Sequence, residues 1–409
     1  MRLLKVDSLD EAREKIIRAA VAIKPEKTDR TLQNAFGMIL AEDLRASESI
    51  PAFRKSTVDG YAVVAKDTSG ASETIPAFLQ CIGEVEMGKA ATTPIGSGQC
   101  VYVPTGGMLP EGANAMVMVE HSEPFGGGQV AIYDSVSPGR SVIEIGDDVM
   151  AGATYMTKGK RLRAQEIGVL ASMGVVDVPV FKPWRVTILS TGDELIPVDQ
   201  TLMPGEIRDS NSYTAAAQCE KYGLEVVTKL ILPDDEEAIR NAILTAKGNS
   251  DLLMISGGSS QGKKDMTAVL LDELSTPGVF THGIAVKPGK PTILGIDEVS
   301  KTLMIGLPGH PVAAMVIFEL LVGWLWQTMT GSSRPLTIPA TMESNVAGGS
   351  GRSMCLLLQL SGGSEGWVAA PILGNSGLMS TLTHADGYTM LGINQEGLNS
   401  GETVQVTLL

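Results

Sequence analysis

Cysteine and histidine are scarce, with four of each among 409 residues, and neither is grouped. Cys81, Cys100, Cys219 and Cys355 form no Cys-x-x-Cys pair, and His121, His282, His310 and His384 have no spacing that would bring two imidazoles to one ion. Neither a zinc site nor a disulfide framework is expected. Basic residues are also outnumbered, 32 Lys and Arg against 46 Asp and Glu, for a net charge of −14 and no long basic run. That balance argues against a general nucleic-acid or membrane-surface binder, so an anionic ligand must be met by local lysines and glycine loops. Long apolar runs are missing too. The longest, Val312 to Trp326, is interrupted by Glu319 and falls short of the ~20 residues that span a bilayer. The N-terminal "MRLLKVDSLDEAREKI" meets acidic residues by Asp7 and has no signal-peptide core, so the expected location is the cytoplasm.

What is present is ordinary globular material, 44% hydrophobic and 19% charged. The chain exceeds the ~250–300 residues at which single cores stop growing, which predicts two to four domains. Residues 8–22 have helical periodicity behind Ser8, a candidate N-cap with acidic residues in the first turn. From 47 to about 145 the texture changes to short β-rich pieces, Ala62–Ala65, Gln99–Val103, Ala115–Val119 and Gln129–Asp134, which read as a small inserted β domain. Helical pattern returns at Ala164–Met173. From 184 on, strands such as "WRVTILS", "LEVVTKLIL" and "DLLMIS" alternate with helices near 212–222, 235–247 and 264–274; "PTILGI", "TLMIGL" and a long helix from Val312 to Met329 follow. Such alternation predicts a doubly wound, mostly parallel sheet with ligands at the carboxyl ends of its strands. Beyond Pro335 the chain is strand and turn. The expected division is a helical linker domain (1–46 with 145–180), an inserted β domain (47–144), a doubly wound α/β domain (181–331) and a C-terminal β domain (332–409).

The loops after the strands of the alternating region are rich in Gly, Asp, Ser and Lys. "SGGSSQGKKD" (256–265) comes close to a P-loop, but Lys264 stands where that motif needs the hydroxyl of Ser or Thr for Mg²⁺. Gly257, Gly258, Ser259 and Gly262 therefore read as an anion loop rather than an NTPase signature. Glu194 of "STGDEL", Asp234 of "PDDEE" and Asp265 are expected to converge as carboxylates that hold a divalent cation with substrate phosphates. "KPGKP" (287–291) brings Lys287 and Lys290 on a stiff turn. Each motif also has a plainer reading: Asp193 or Asp234 as a helix N-cap, "KPGKP" as a solvated turn, and "GLPGHP" (306–311) as a strand-to-helix turn with Pro311 at the first helical position.

At this point the sequence resembles the molybdopterin molybdotransferases, the MoeA and gephyrin E-domain group. "STVDGYAV" (56–63), "PTGGMLPEGANAMVMVE" (104–120), "STGDEL…PGEIRDSN" (190–211), "SGGSSQGKKD", "KPGKP" and "GLPGHPVAA" occur in the family's order and cover nearly the whole chain. The resemblance implies a four-domain, homodimeric enzyme with a C-terminal β-barrel-like domain and an active site completed by the partner subunit. It would transfer molybdenum from molybdate into adenylylated molybdopterin, release AMP and use Mg²⁺ or a similar divalent cation, with transient contacts to other molybdenum-cofactor enzymes. Position by position, it implies catalytic roles for Asp59, Asp148, Glu194, Asp234 and Asp265, the last three also at the metal. It implies substrate or molybdate contacts for Thr105, Ser260, Lys287, Lys290, Pro291, Arg352 and Ser376. Two other activities stay open on the same fold, a non-catalytic scaffold as in the gephyrin branch and the adenylyltransferase that makes the preceding intermediate. The chain departs from the family pattern at Val58, often Met; at Lys263-Lys264, more basic than is common; at Gly283, a lysine in some members; and at His310, where Asn or Tyr is common.

Overall fold

The computed structural model describes residues 6–257, 264–349, 351–363, 366–374, 377 and 379–409, with Lys264, Asp265 and Thr381 described by their backbone only. The chain divides into two compact units, one of residues 43–157 and 168–175, the other of residues 1–42, 158–167 and 176–409.

The smaller unit is built on a six-stranded sheet with the spatial order Ala115–Met118, Gly60–Val63, Gln99–Val103, Ala77–Glu84, Gln129–Ile132, Ser122–Phe125. Its strands alternate with period two. Val63, Leu79, Cys100 and Val117 fill one buried cluster, and Ala62, Val101, Val103 and Met116 fill another.

In the larger unit, helix α1 (Leu9–Ala20) starts with a capping box: the Ser8 hydroxyl accepts from the Glu11 N–H while the Glu11 carboxylate accepts from the Ser8 N–H. Ala12, Ile16 and Ala20, spaced four apart, form its buried stripe. The central sheet has β1 (Arg185–Thr191), β2 (Glu225–Leu232), β3 (Leu252–Gly257), β4 (Pro277–His282), β5 (Ile293–Asp297) and β6 (Thr302–Leu307), in the order β2-β1-β3-β6-β5-β4. The pairs β1/β2, β1/β3 and β3/β6 are parallel, but β5 runs antiparallel to both β6 and β4. Helices α2 (Asn211–Tyr222), α3 (Glu236–Asn249) and α4 (Lys264–Glu273) are wound on the sheet. Both faces are buried, which is why its parallel strands read as nearly continuous apolar runs. Val186, Ile188, Leu252, Met254, Leu303 and Ile305 face one core, and Leu189, Leu253, Ile255 and Met304 face the other, against α3 and α4.

Helix α5 (Pro311–Thr330) is long and apolar enough to cross a membrane, yet it is mostly buried in the core, where Phe318 and Trp326 are almost fully enclosed and Trp326 packs on Trp184. Its middle, Phe318–Gly323, widens into a π-type turn. A π-type turn leaves backbone groups out of the regular ladder, and other elements supply partners: the Arg13 guanidinium donates to the Leu320 carbonyl at 3.0 and 3.1 Å, and Gln218 Nε2 donates to the Met315 carbonyl at 3.1 Å. Glu319, the one charge on this helix, is buried and accepts from Gln218 Nε2 at 3.0 Å, Lys221 Nζ at 3.0 Å and the Tyr222 hydroxyl. Burial, with the Glu319 charge added, pushes the Tyr222 phenol well above its ordinary range, so it serves as a hydrogen-bond donor.

After α5 come β7 (Thr337–Met342), β8 (Ser353–Gly363), β9 (Gly366–Pro371), β10 (Gly387–Leu391) and β11 (Thr403–Leu408). They pair β8-β9-β7-β11-β10, and β10 returns to β8, so the five strands close into a barrel around Met342, Leu356, Leu358 and Val406. A two-residue strand, Val286–Lys287, adds to the outside of β8.

Asp297, at the end of β5, ties this sheet to α3. Burial works against its charge, but hydrogen bonds from the Ser300 hydroxyl, the Thr276 N–H and the Lys247 ammonium, 3.0 Å away, outweigh it and hold the carboxyl down at about 2. The folded value lies below the ~3.9 of an unfolded Asp, so this stabilisation is complete above pH ~4 and is lost as pH falls through ~2. The thermal midpoint of Asp297→Asn is expected to lie a few degrees below that of the wild type at neutral pH. The gap should close on acidification through this window, as read by circular dichroism.

Candidate active site

The parallel strands β1, β2, β3 and β6 all deliver their carboxyl ends to one edge of the sheet, so the loops that follow them share that edge. Gly257 ends β3 with φ +121°, and a Cβ there would lie 2.0 Å from the Thr191 carbonyl oxygen, so the close approach of β3 to β1 needs glycine. The Asp193 carboxylate accepts from the Asp234 N–H at 3.0 Å, which joins the loops after β1 and β2. The N-cap of α3 is Asp235, which accepts from the Ala238 N–H, and not Asp234. Asp234 instead turns to a cavity.

Lys287-Pro288-Gly289-Lys290-Pro291 precedes β5. In an all-parallel sheet it would lie at the opposite edge; because β5 runs antiparallel, its amino end meets the carboxyl ends of its neighbours. The turn is braced from several sides. Thr292 Oγ1 donates to the Gly289 carbonyl, the Ile284 N–H donates to the Lys290 carbonyl, and Gly289, at φ +130°, sits against Ile317 of α5 with no room for a Cβ. Upstream, Asp7 pairs with Ile284, and its buried carboxylate accepts from Lys15 Nζ at 2.6 Å and Thr281 Oγ1 at 2.7 Å. Downstream in sequence but alongside in space, the pairing of Val286–Lys287 with Ser353–Met354 sets Arg352 near Lys287.

These elements enclose a cavity of about 910 Å³ with Lys287, Lys290, Pro291 and Arg352 in its lining. The three cationic side chains are exposed, and among the described residues none meets a carboxylate within ion-pair distance. Burial pushes the thiol of Cys355, also in this wall, far up, so it stays protonated.

A second cavity, of about 490 Å³, is lined by Glu194, Arg208, Asp209, Asn211 and Asp234, with Gly257 at its base. Gly309 and His310 line both cavities. Thr191 Oγ1 and Asn211 Oδ1, in the second wall, are buried without a protein hydrogen-bond partner, which marks this wall as polar beyond what the protein itself satisfies. Asp209 and Asn211 were not singled out from sequence; the signal was the Arg-Asp-Ser-Asn run opening α2, where the Asp209 carboxylate accepts from the Ser212 N–H.

The structure thus brings Lys287, Lys290, Pro291 and Arg352 together, and separately Glu194 and Asp234. Gly258, Ser259, Ser260, Gly262 and Ser376 lie outside the described residues, as does the side chain of Asp265. Among the described residues no group of three or more His, Cys, Asp or Glu could hold a metal ion. In the smaller unit, Asp59 and Thr105 are adjacent, with the Thr105 N–H donating to the Asp59 carboxylate at 2.8 Å, and Asp148 is exposed on a turn after a different strand.

Three family patterns match the chain in succession: the MoeA N-terminal region (domain I and II) at residues 7–174, the probable molybdopterin binding domain at 187–327, and the MoeA C-terminal region (domain IV) at 339–409. The chain belongs to the MoeA family. It is 30% identical to the molybdopterin molybdenumtransferase of Haemophilus influenzae over 98% of both chains. It is 35% identical to a putative molybdopterin biosynthesis protein of Methanocaldococcus jannaschii, over 92% of this chain and 90% of that one. A solved molybdopterin biosynthesis MoeA protein of Pyrococcus horikoshii superimposes with a TM-score of 0.82 at 34% identity, over 99% of each chain. Both cavities lie within or beside the match to the molybdopterin binding domain, and Arg352 belongs to the match to the C-terminal region.

Gly257→Ala is expected to destabilise the chain by about 3 kcal/mol, from the strained backbone together with overpacking against Thr191. Thermal unfolding should show a fall of several degrees, and Gly205→Ala, at a positive-φ glycine in open space, should fall by less.

Proposed function

We infer that this chain is a molybdopterin molybdotransferase that inserts molybdenum from molybdate into adenylylated molybdopterin and releases AMP. The observation that carries the reading is the pair of cavities sharing the Gly309–His310 wall, one cationic and the other lined by carboxylates. Molybdate is a compact tetrahedral dianion, matched by the point charges of Lys287 and Lys290 and the donor fork of Arg352. The second cavity, with the Glu194 and Asp234 carboxylates in its lining, is assigned to the adenylylated pterin. One or two protein carboxylates plus substrate phosphates is the usual way Mg²⁺ is held, so these residues fit that ion, with Asp265 as a further candidate. When bound, Mg²⁺ would supply charge neutralisation at the phosphoanhydride. The protein's own contribution is placement: oxyanion and pterin are brought together where the two cavities meet at Gly309 and His310, and orientation provides much of the rate. Asp59 and Asp148 are proposed as further catalytic residues and Thr105, Ser260 and Ser376 as further substrate contacts, and the assembly is proposed to be a cytoplasmic homodimer.

The test is AMP release from adenylylated molybdopterin with Mg²⁺, with and without molybdate and with tungstate in parallel, with active cofactor followed alongside. Molybdate-dependent release with cofactor formed supports the transferase, whereas tight binding without release overturns it in favour of a scaffold. Lys290→Gln and Arg352→Gln should each raise KM for molybdate about 10-fold or more, from loss of a charge-assisted hydrogen bond. Asp234→Asn should raise the Mg²⁺ needed for half-maximal release and leave KM for molybdate unchanged.

A further inference from the structure

His310 ends the loop after β6 and holds the N-cap position of α5, an exposed residue that lines both cavities. The first cavity otherwise offers Lys287, Lys290 and Arg352 as charged groups, the second Glu194, Arg208, Asp209 and Asp234. No other imidazole lines either one among the described residues; His282 lines a separate, small cavity of about 40 Å³. Arginine does not give up its proton in a protein, and the two lysines and the carboxylates Glu194 and Asp234 are assigned above to the oxyanion and the divalent cation. An imidazole is the side chain suited to taking up a proton near neutral pH on one nitrogen and giving one up on the other.

The transfer needs such a group at this wall. When a dithiol displaces one oxygen of molybdate, two Mo–S bonds form, one Mo–O bond breaks, and the two thiol protons leave with that oxygen as water. Molybdenum stays at its highest oxidation state, so no oxidant or reductant enters, but two protons must pass from sulfur, on the pterin side, to oxygen, on the molybdate side. We propose that His310, which lines both cavities, is a catalytic residue that relays these protons from the dithiol to the departing oxygen where the two cavities meet. The proposal rests on the transferase reading above and deepens it.

The experiment measures molybdate-dependent cofactor formation and AMP release for wild type, His310→Ala, His310→Asn and His310→Phe, with and without added imidazole. General acid–base groups contribute ~10²–10⁴-fold, and water in an open cavity substitutes in part, so kcat of His310→Ala should fall at least about tenfold while KM for molybdate is unchanged. Imidazole should restore much of the rate to His310→Ala and none to His310→Phe, in which the space is filled. His310→Asn, which keeps a hydrogen-bond donor but cannot relay, should stay slow. Full activity in His310→Asn, a rise in KM alone, or absence of imidazole rescue in a folded His310→Ala would each overturn the relay and leave the transferase intact. A wild type that does not respond to molybdate would overturn the transferase reading and the relay with it.

Discussion

The site depends on one constraint, the placement of a cationic turn at an edge of the sheet where the connectivity would not otherwise put it. A segment that precedes a strand reaches the carboxyl edge of a parallel sheet only if that strand is reversed. β5 is reversed, and the consequence runs through the rest of the unit. The turn needs a floor, which is Ile317 of α5 beneath Gly289. It needs an upstream anchor, which is the buried Asp7 with its partners Lys15 and Thr281, and a lateral one, which is the short pairing with β8. Two lysines next to an arginine repel one another, and a turn that was free to relax would spread them apart. Bracing from independent elements is what keeps like charges together before a ligand arrives.

The same reasoning explains why the helix beneath the turn is built as it is. α5 is apolar enough to be buried on all sides, and its π-type turn brings Glu319 inward to Gln218, Lys221 and Tyr222. A buried carboxylate left without partners would be strongly destabilising. With three donors, it fixes the rotation of α5 against α2, because no other register presents it to all of them. Gly323 lets the Tyr222 ring lie directly on the helix backbone. The amino end of α5 is the wall shared by the two cavities, so rotational locking at Glu319 also fixes the backbone that carries His310.

Much of this was legible in the sequence because it is local. Period-two and period-3.6 patterns placed the helices and most strands of the alternating region to within a residue or two, though not β4, and the Ser8 N-cap was visible with its acidic first turn. Glycine and lysine loops flagged the sheet edge for the same reason. What could not be read depends on pairing between distant segments. Nothing in "PTILGI" distinguishes an antiparallel from a parallel strand when both faces are buried. The closure of the barrel through β10 and β8, and the contact that sets Arg352 near Lys287, are equally non-local. The π-type turn was hidden because a helix that is apolar on all sides has no stripe to show a change of pitch. Asp234 was ambiguous between cap and ligand because Asp235, next to it, has the same chemistry; only the backbone decides which carboxylate turns back to the helix.

A chain of net charge −14 that works on a dianion and a phosphate ester looks electrostatically mismatched. The mismatch is removed by distance. Exposed charges beyond about 8 Å are largely screened at physiological ionic strength, so the acidic surface contributes little inside a cavity. An anion in the cavity lined by Lys287, Lys290 and Arg352 would meet them at contact range, on walls of proline, glycine and aliphatic side chains that weaken the screening. The acidic surface does slow the approach of any anion, and that cost falls on the encounter and not on the bound state. Anions that can be held by all three cations at once recover the difference on binding, while those that reach only one do not. On the proposed assignment of this cavity to molybdate, selection for a compact, doubly charged oxyanion comes from concentrating the positive charge in one braced cavity and keeping the rest of the surface negative.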